Sequence, residues 1–201
     1  VFREWAPNAK EIYLIGDFND WKEHGDYRMY HVKNSPGVWE VELQSGAIKH
    51  GDLYKLKVRW NGGEGERIPA WANRVVQDEQ TKIFSAQVWE PENPYRFRKK
   101  VFRAKTDPLM IYECHIGMAQ EEERVGTYNE FREKILPRIA EAGYNCIQIM
   151  AIQEHPYYGS FGYHVSSFFA PSSRFGTPDE LKELIDTAHR MGIAVIMDIV
   201  H

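Results

Sequence analysis

The chain has 201 residues, 43% of them hydrophobic and 13% aromatic, which is enough for one or two domains with real cores. Its formal net charge of -4 gives no electrostatic footprint for nucleic acid or an anionic membrane surface. No apolar run approaches the roughly 20 residues of a membrane-spanning helix, and no signal-peptide pattern opens the chain. Cys114 and Cys146 each fall inside a predicted buried strand. With no CxxC pair, they fit reduced core thiols better than a disulfide framework or a zinc site. The expectation is a cytoplasmic protein with no metal and no cofactor. The chain starts mid-pattern at Val1 and stops at the end of a predicted strand, so it reads as cut from a longer one.

Residues 1–95 hold short strand-like runs separated by turn signals and no long helical period. Phe2 to Trp5 ends at Ala6-Pro7-Asn8. Glu11 to Gly16 alternates, with Ile12 and Leu14 on one face and Tyr13 and Ile15 on the other. Val38 to Leu43 follows a Ser-Pro-Gly turn. Leu53 to Trp60 sets Leu56 and Val58 against Lys55, Lys57 and Arg59, and Asn61-Gly62-Gly63 breaks it. Val75-Val76 and Ile83-Phe84 are shorter candidates. Several antiparallel strands at this spacing predict a small β-sandwich. Residues 96–108, with the basic run Arg96, Arg98, Lys99 and Lys100, read as a solvated linker.

From residue 109 to 201 the pattern becomes βαβαβ, which indicates a parallel sheet. Met110 to Ile116, Cys146 to Ile152 and Ile193 to Val200 are apolar runs suited to strands buried on both faces. Thr127 with Glu130, and Thr177 with Pro178 and Glu180, are helix-start signatures, and Gly143 and Gly192 stop the two helices. Pro137 lies inside the first and is expected to kink it at a cost of roughly 3 kcal/mol. Neither a GxGxxG fingerprint nor a P-loop is present. Polar residues collect instead at strand carboxyl ends: His115, Glu154 and His155, and Asp198 with His201. A (β/α)₈ barrel puts its site there, so residues 109–201 read as the first three β/α units of a truncated TIM barrel.

Two groups of residues carry candidate chemistry. The loop after the second strand is crowded with Tyr157, Tyr158, Phe161, Tyr163, Phe168 and Phe169, whose rings suit stacking on sugars; packing onto the barrel rim competes with that reading. Glu154 and His155 are acid/base groups by type, with loop closure as the alternative. His115 reads as a satisfied core histidine, and Asp198, a carboxylate ending an apolar strand, must be paired or coordinated, with a structural ion pair within the barrel as the alternative. In the front half, Trp5, Trp21, Trp39 and Trp60 are candidate sugar platforms against ordinary sandwich packing.

The stretch GYNCIQIMAIQEHPYYGSFGYHVSSFFAPSSRFGTPDELKELIDTAHRMGIAVIMDIVH, with IYECHIGM ahead of it, strongly resembles the glycogen and starch branching enzymes of the alpha-amylase superfamily. EWAP, GDFNDW and GVWEVEL are similar to the family 48 carbohydrate-binding module, an immunoglobulin-like sandwich that precedes the barrel in those enzymes. The resemblance covers essentially the whole chain. It implies an enzyme that cuts an alpha-1,4-glucan (glycogen, amylose or malto-oligosaccharides) by a retaining double displacement and moves the segment to a 6-hydroxyl. It also implies that the nucleophilic Asp and the acid/base Glu lie beyond His201, so this piece is inactive, and that the parent is a monomer. Tyr163 matches the Tyr that stacks on the sugar beside the cleavage point. Asp198 matches the Asp that orders the charges around the nucleophile. Trp21 and Lys55 match sugar-holding positions of related modules, and Trp5, Pro7, Trp39 and Glu40 form a second candidate surface. A non-catalytic glucan-binding piece and another amylase-type hydrolase are the alternatives.

Overall fold

A computed structural model of the chain describes residues 1–103 and 108–201. The part of the predicted linker at 104–107 lies outside the described residues. Contacts divide the chain into two compact units, Val1–Glu92 and Asn93–His201.

In the front unit β1 (Phe2–Trp5), β2 (Ala9–Gly16), β3 (Tyr30–His31), β4 (Val38–Val41) and β5 (Leu53–Trp60) are followed by β6 (Gly63–Arg67), β7 (Val75–Gln77) and β8 (Phe84–Gln87). One antiparallel sheet runs β1-β4-β3; the other runs β2-β5-β8-β7, with β6 also paired to β5. Alternation along β5 works as the sequence predicts: Tyr54, Leu56 and Val58 are buried and Lys55, Lys57 and Arg59 turn outward. In β2 the expected split fails at Ile15, which is 3% exposed. Two strands escape the hydrophobic pattern. Tyr30–His31 is only two residues long, and Gly63–Arg67, GEGER, carries no apolar side chain. The turn Asn61-Gly62 returns that second strand along β5, with Trp60 opposite Gly63. Its glutamates meet the outward cations, Lys57 to Glu64 at 2.6 Å and Lys55 to Glu66 at 3.2 Å. Such surface pairs contribute about 0–1 kcal/mol each, against about 1.5–3 kcal/mol for burying a Leu or Val. The apolar face therefore holds this sheet.

The second unit contains β9 (Ile111–Cys114), β10 (Cys146–Ile149), β11 (Gln153–Glu154), β12 (Ser167–Pro171) and β13 (Ala194–Met197). β10 pairs in parallel with β9 on one side and β13 on the other, Cys146 facing both Ile111 and Ala194. Both thiols are free and buried. The expected burial on both faces holds only for β10, whose Cys146, Ile147 and Ile149 are all inaccessible. On the flanking strands Ile111, Tyr112, Ile196 and Met197 are 37–44% exposed. Among the described residues each flanking strand has one neighbour, and that part of its surface is left open.

The first helix is a composite: α1 (Tyr128–Glu130), a π turn over Phe131–Ile135, and α2 (Leu136–Glu141). Pro137 lacks an N–H and its ring crowds the preceding turn. The chain answers with a widened turn, in which the Leu136 N–H reaches the Phe131 carbonyl five residues back. This is the form the predicted kink takes. Both capping boxes are present, Thr127 with Glu130 and, at the start of α3 (Pro178–Arg190), Thr177 with Glu180.

α3 is buried on two sides. Leu181, Leu184 and Ala188 join the core under β10, while Asp186, fully inaccessible, faces the linker stretch. Its carboxylate accepts the Tyr95 hydroxyl at 2.6 Å and the backbone N–H groups of Arg98 and Lys99 at 3.0 and 2.8 Å. Phe102 stacks on His189, with centroids 4.2 Å apart. The basic run is therefore tied down through its backbone, while its side chains stay in solvent. Burial alone would raise the Asp186 pKa. The Tyr95 hydroxyl, the two N–H groups and Arg190 outweigh it and hold the carboxyl below its ordinary 3.8.

In the loop after β11, Gly162 has φ +89 and sits so close to the chain that a Cβ there would lie 1.7 Å from the Ala151 carbonyl oxygen. Only glycine fits, and this contact fixes the direction in which Tyr163 leaves the loop.

Two outcomes follow. Asp186→Ala should cost about 2 kcal/mol in urea unfolding, because three donors lose a charged partner. A carboxyl with a lowered folded pKa stabilises above the unfolded value and loses that contribution as pH falls through the folded one. Wild type should thus lose more stability than the Asp186→Ala variant on acidification below about pH 4; parallel losses would show that Asp186 carries no linkage. Gly162→Ala should lower the melting temperature and increase amide hydrogen exchange around 158–164, whereas an unchanged exchange pattern would refute the Ala151 contact.

Candidate functional site

Parallel pairing brings the carboxyl ends of β9, β10 and β13 to one rim, and Tyr163 and Asp198 meet there. Tyr163 Oη donates to Asp198 Oδ2 at 3.0 Å, and Gln148 Nε2 donates to Asp198 Oδ1 at 3.0 Å. Gln148 also reaches toward Glu113 at 3.5 Å. Asp198 is held at the rim by its own backbone, since its N–H donates to the Ile149 carbonyl at 3.0 Å. Burial, and then the Asp198 carboxylate, raise the Tyr163 pKa, so the phenol stays protonated and able to donate. Tyr163 remains 41% exposed, with its ring available to a ligand. Gln148 was not singled out from the sequence. Its signal is a lone amide inside the run CIQI, a polar residue at a strand position where apolar neighbours dominate.

Glu154 and His155 do not join this cluster. Glu154 is 1% exposed and its two oxygens accept the His155 N–H, the Ser172 hydroxyl and both the N–H and hydroxyl of Ser173, at 2.7–3.2 Å. A carboxylate this fully bonded and dry closes the loop; it has no lone pair directed at a substrate. His155 is inaccessible, with Nδ1 2.9 Å from the Gln153 carbonyl and Nε2 3.1 Å from Arg174. His115 is a core histidine as expected but is not satisfied. Among the described residues neither ring nitrogen meets a hydrogen-bond partner, and Tyr158, Phe161 and Phe175 pack edge-on at 5.6–5.9 Å. Burial, then His155, lowers its pKa. Of the loop rings, Tyr158 is therefore packing, while Tyr157, Phe168 and Phe169 are half or more exposed.

In the front unit the two candidate surfaces fare differently. Trp21 lies with its ring 6.0 Å from Lys55 Nζ. Asp17 organises that corner: Oδ1 accepts the Trp21 indole N–H at 2.9 Å and Oδ2 accepts the Leu53 N–H at 2.7 Å. Lys55 is also paired to Glu66. On the other surface Trp5 is 61% exposed and sits beside Pro7 over Gly37, whose added Cβ would lie 3.1 Å from the Trp5 indole nitrogen and 3.0 Å from Pro7 Cβ. Trp39 does not share that surface. It is 4% exposed, and its indole N–H donates to the Ala6 carbonyl at 3.0 Å. The reason is the strand period: adjacent residues face opposite ways, so Trp39 and Glu40 cannot both point outward. Glu40 takes the outer face, pairing with Arg3 across the β1–β4 ladder. A cleft of about 640 Å³ opens beside Trp5 and Pro7, and Trp60 and Arg67 also line it. Among the described residues no group of three or more His, Cys, Asp or Glu is placed to hold a metal ion, and no helix is long and apolar enough to cross a membrane.

The carbohydrate-binding module 48 family (isoamylase N-terminal domain) matches residues 1–72, and the alpha amylase catalytic domain family matches residues 79–201. The 1,4-alpha-glucan-branching enzyme of Dictyostelium discoideum is 45% identical over 206 residues, covering 100% of this chain and 30% of its own length. That of Saccharomyces cerevisiae is 46% identical over 217 residues, with the same coverage. The 1,4-alpha-glucan-branching enzyme 2-2, chloroplastic/amyloplastic, of Arabidopsis thaliana is 48% identical over 208 residues, covering 100% of this chain and 25% of its own. The chain thus spans 25–30% of the length of these relatives. Among solved structures, the pullulanase from Bacillus acidopullulyticus superposes with a TM-score of 0.74 at 20% identity, over 99% of this chain and 28% of that one. The Group B Streptococcus pullulanase SAP gives 0.73 at 20% identity, over 98% and 31%. At those identities the likeness is one of fold. Residues 79–201 are more than half of the chain, and with a carbohydrate-binding module 48 match ahead of them they make this protein a member of the alpha-amylase family.

Proposed function

We propose that this chain is the front part of a 1,4-alpha-glucan branching enzyme. The front unit holds glucan, and the second unit supplies the first three β/α units of a (β/α)₈ barrel. The observation that carries the reading is the Tyr163–Asp198 hydrogen bond at the carboxyl ends of parallel strands, where barrel enzymes assemble their sites. Tyr163 offers its ring face to a glucose unit beside the bond to be cut. Asp198, fixed by Gln148 and by its own N–H, stands at the rim to order the groups that act on the sugar. The reaction is a retaining transfer. One carboxylate attacks the anomeric carbon as the glycosidic oxygen leaves protonated by a second; a glucan 6-hydroxyl then displaces the enzyme, returning its proton to the second group. On this reading both carboxylates belong to chain beyond His201. The cytoplasmic location expected from composition gains no support from the relatives, one of which is chloroplastic/amyloplastic.

The 201-residue chain should bind maltoheptaose in a calorimetric titration, and Trp5→Ala should weaken binding about tenfold by removing an exposed stacking face. Trp39→Ala should instead destabilise the chain by about 3 kcal/mol, as expected for emptying a buried site. Equal binding by wild type and Trp5→Ala would contradict the surface assigned. Incubated with amylose, the chain should form no alpha-1,6 linkages. Their appearance in the product would contradict the division of catalytic groups.

A further inference from the structure

The cleft beside Trp5 is also lined by Trp60, a candidate platform in the sequence, and by Arg67, which the sequence did not flag. Trp60 ends β5, opposite Gly63 of β6. Gly63 and Gly65 leave that strand bare where the indole lies: an added Cβ at either would come within 3.2–3.3 Å of the Trp60 ring. Arg67, two residues on along the same face, places its guanidinium carbon 5.3 Å from the ring centroid. The indole is thus seated across a glycine-floored strip and braced at one end, a fixed aromatic wall. Trp5 stands on β1, in the other sheet. The two tryptophans therefore line one cleft from different sheets, and Asn8, Lys10 and Asn61 belong to the same lining.

Resting on the glucan-binding reading above, we infer that Trp60 and Arg67 form the far wall of the Trp5 cleft, so that one alpha-glucan chain is gripped from both sheets. A short sugar reaches one wall and a longer chain reaches both. Affinity then rises with chain length through Trp60, while Trp5 serves short and long ligands alike.

The test is a titration of the 201-residue chain with maltotriose and with maltoheptaose. Trp60→Ala should weaken maltoheptaose binding roughly three- to tenfold and maltotriose less than about twofold. Trp60→Phe should recover much of the difference, because it keeps a ring in the wall. Where a substitution unfolds the chain, the indole N–H resonance of Trp60 in unsubstituted protein replaces it: maltoheptaose should shift that signal and maltotriose should leave it in place. A response to Trp5→Ala with none at Trp60 by either method overturns this inference and leaves the glucan-binding reading intact. No binding of either sugar overturns both.

Discussion

Parallel pairing of β10 with β9 on one side and β13 on the other is the constraint on which the second unit depends. It sends the strand carboxyl ends to one rim and so brings together Gln148, Asp198 and the loop carrying Tyr163. The pairing is stabilised by apolar burial around β10, with the inner faces of the composite helix and α3 beneath it. The rim is then finished by specific contacts. Gly162 lets the loop approach the Ala151 carbonyl, Glu154 binds the loop's far end through Ser172 and Ser173, and Asp198 takes one donor from each direction. Rim position comes from topology, and side-chain aim from these bonds.

The front unit uses the same division of labour on antiparallel sheets. Its core is set by alternation, while the chemistry sits where alternation is interrupted. Trp5 is exposed at the end of β1, Trp21 follows a turn organised by Asp17, and Trp60 lies over the glycines of β6. At Trp5 the ring is open because its own strand has run out, and at Trp60 because the neighbouring strand carries no side chain there.

Much of this was legible in the residues. Capping boxes at Thr127 and Thr177, and the glycine stops at Gly143 and Gly192, are local chemistry and survive in the structure with little change. Tyr163 and Asp198 were each readable through resemblance, but the bond between them was not, because 35 residues separate them and no periodicity links them. Other features were not legible for physical reasons. Trp39 is indistinguishable from an exposed tryptophan until strand register assigns its face. β6 has no hydrophobic signal because its role is to leave space. The buried side of α3 at Asp186 depends on a distant backbone donating to it, which a helical wheel cannot show. The open faces of β9 and β13 contradict the burial their apolar runs predict, since burial belongs to neighbours and not to the run itself.

The central proposal is that a glucan meets this protein at the rim where Tyr163 and Asp198 join. Its most direct test is the position of a malto-oligosaccharide in crystals of the full branching enzyme of which this chain is proposed to be the front part. The account predicts a glucose ring against the Tyr163 face, with Asp198 still bonded to Tyr163 and Gln148. A sugar seated at the opposite ends of the strands, or Tyr163 and Asp198 found apart, would contradict it.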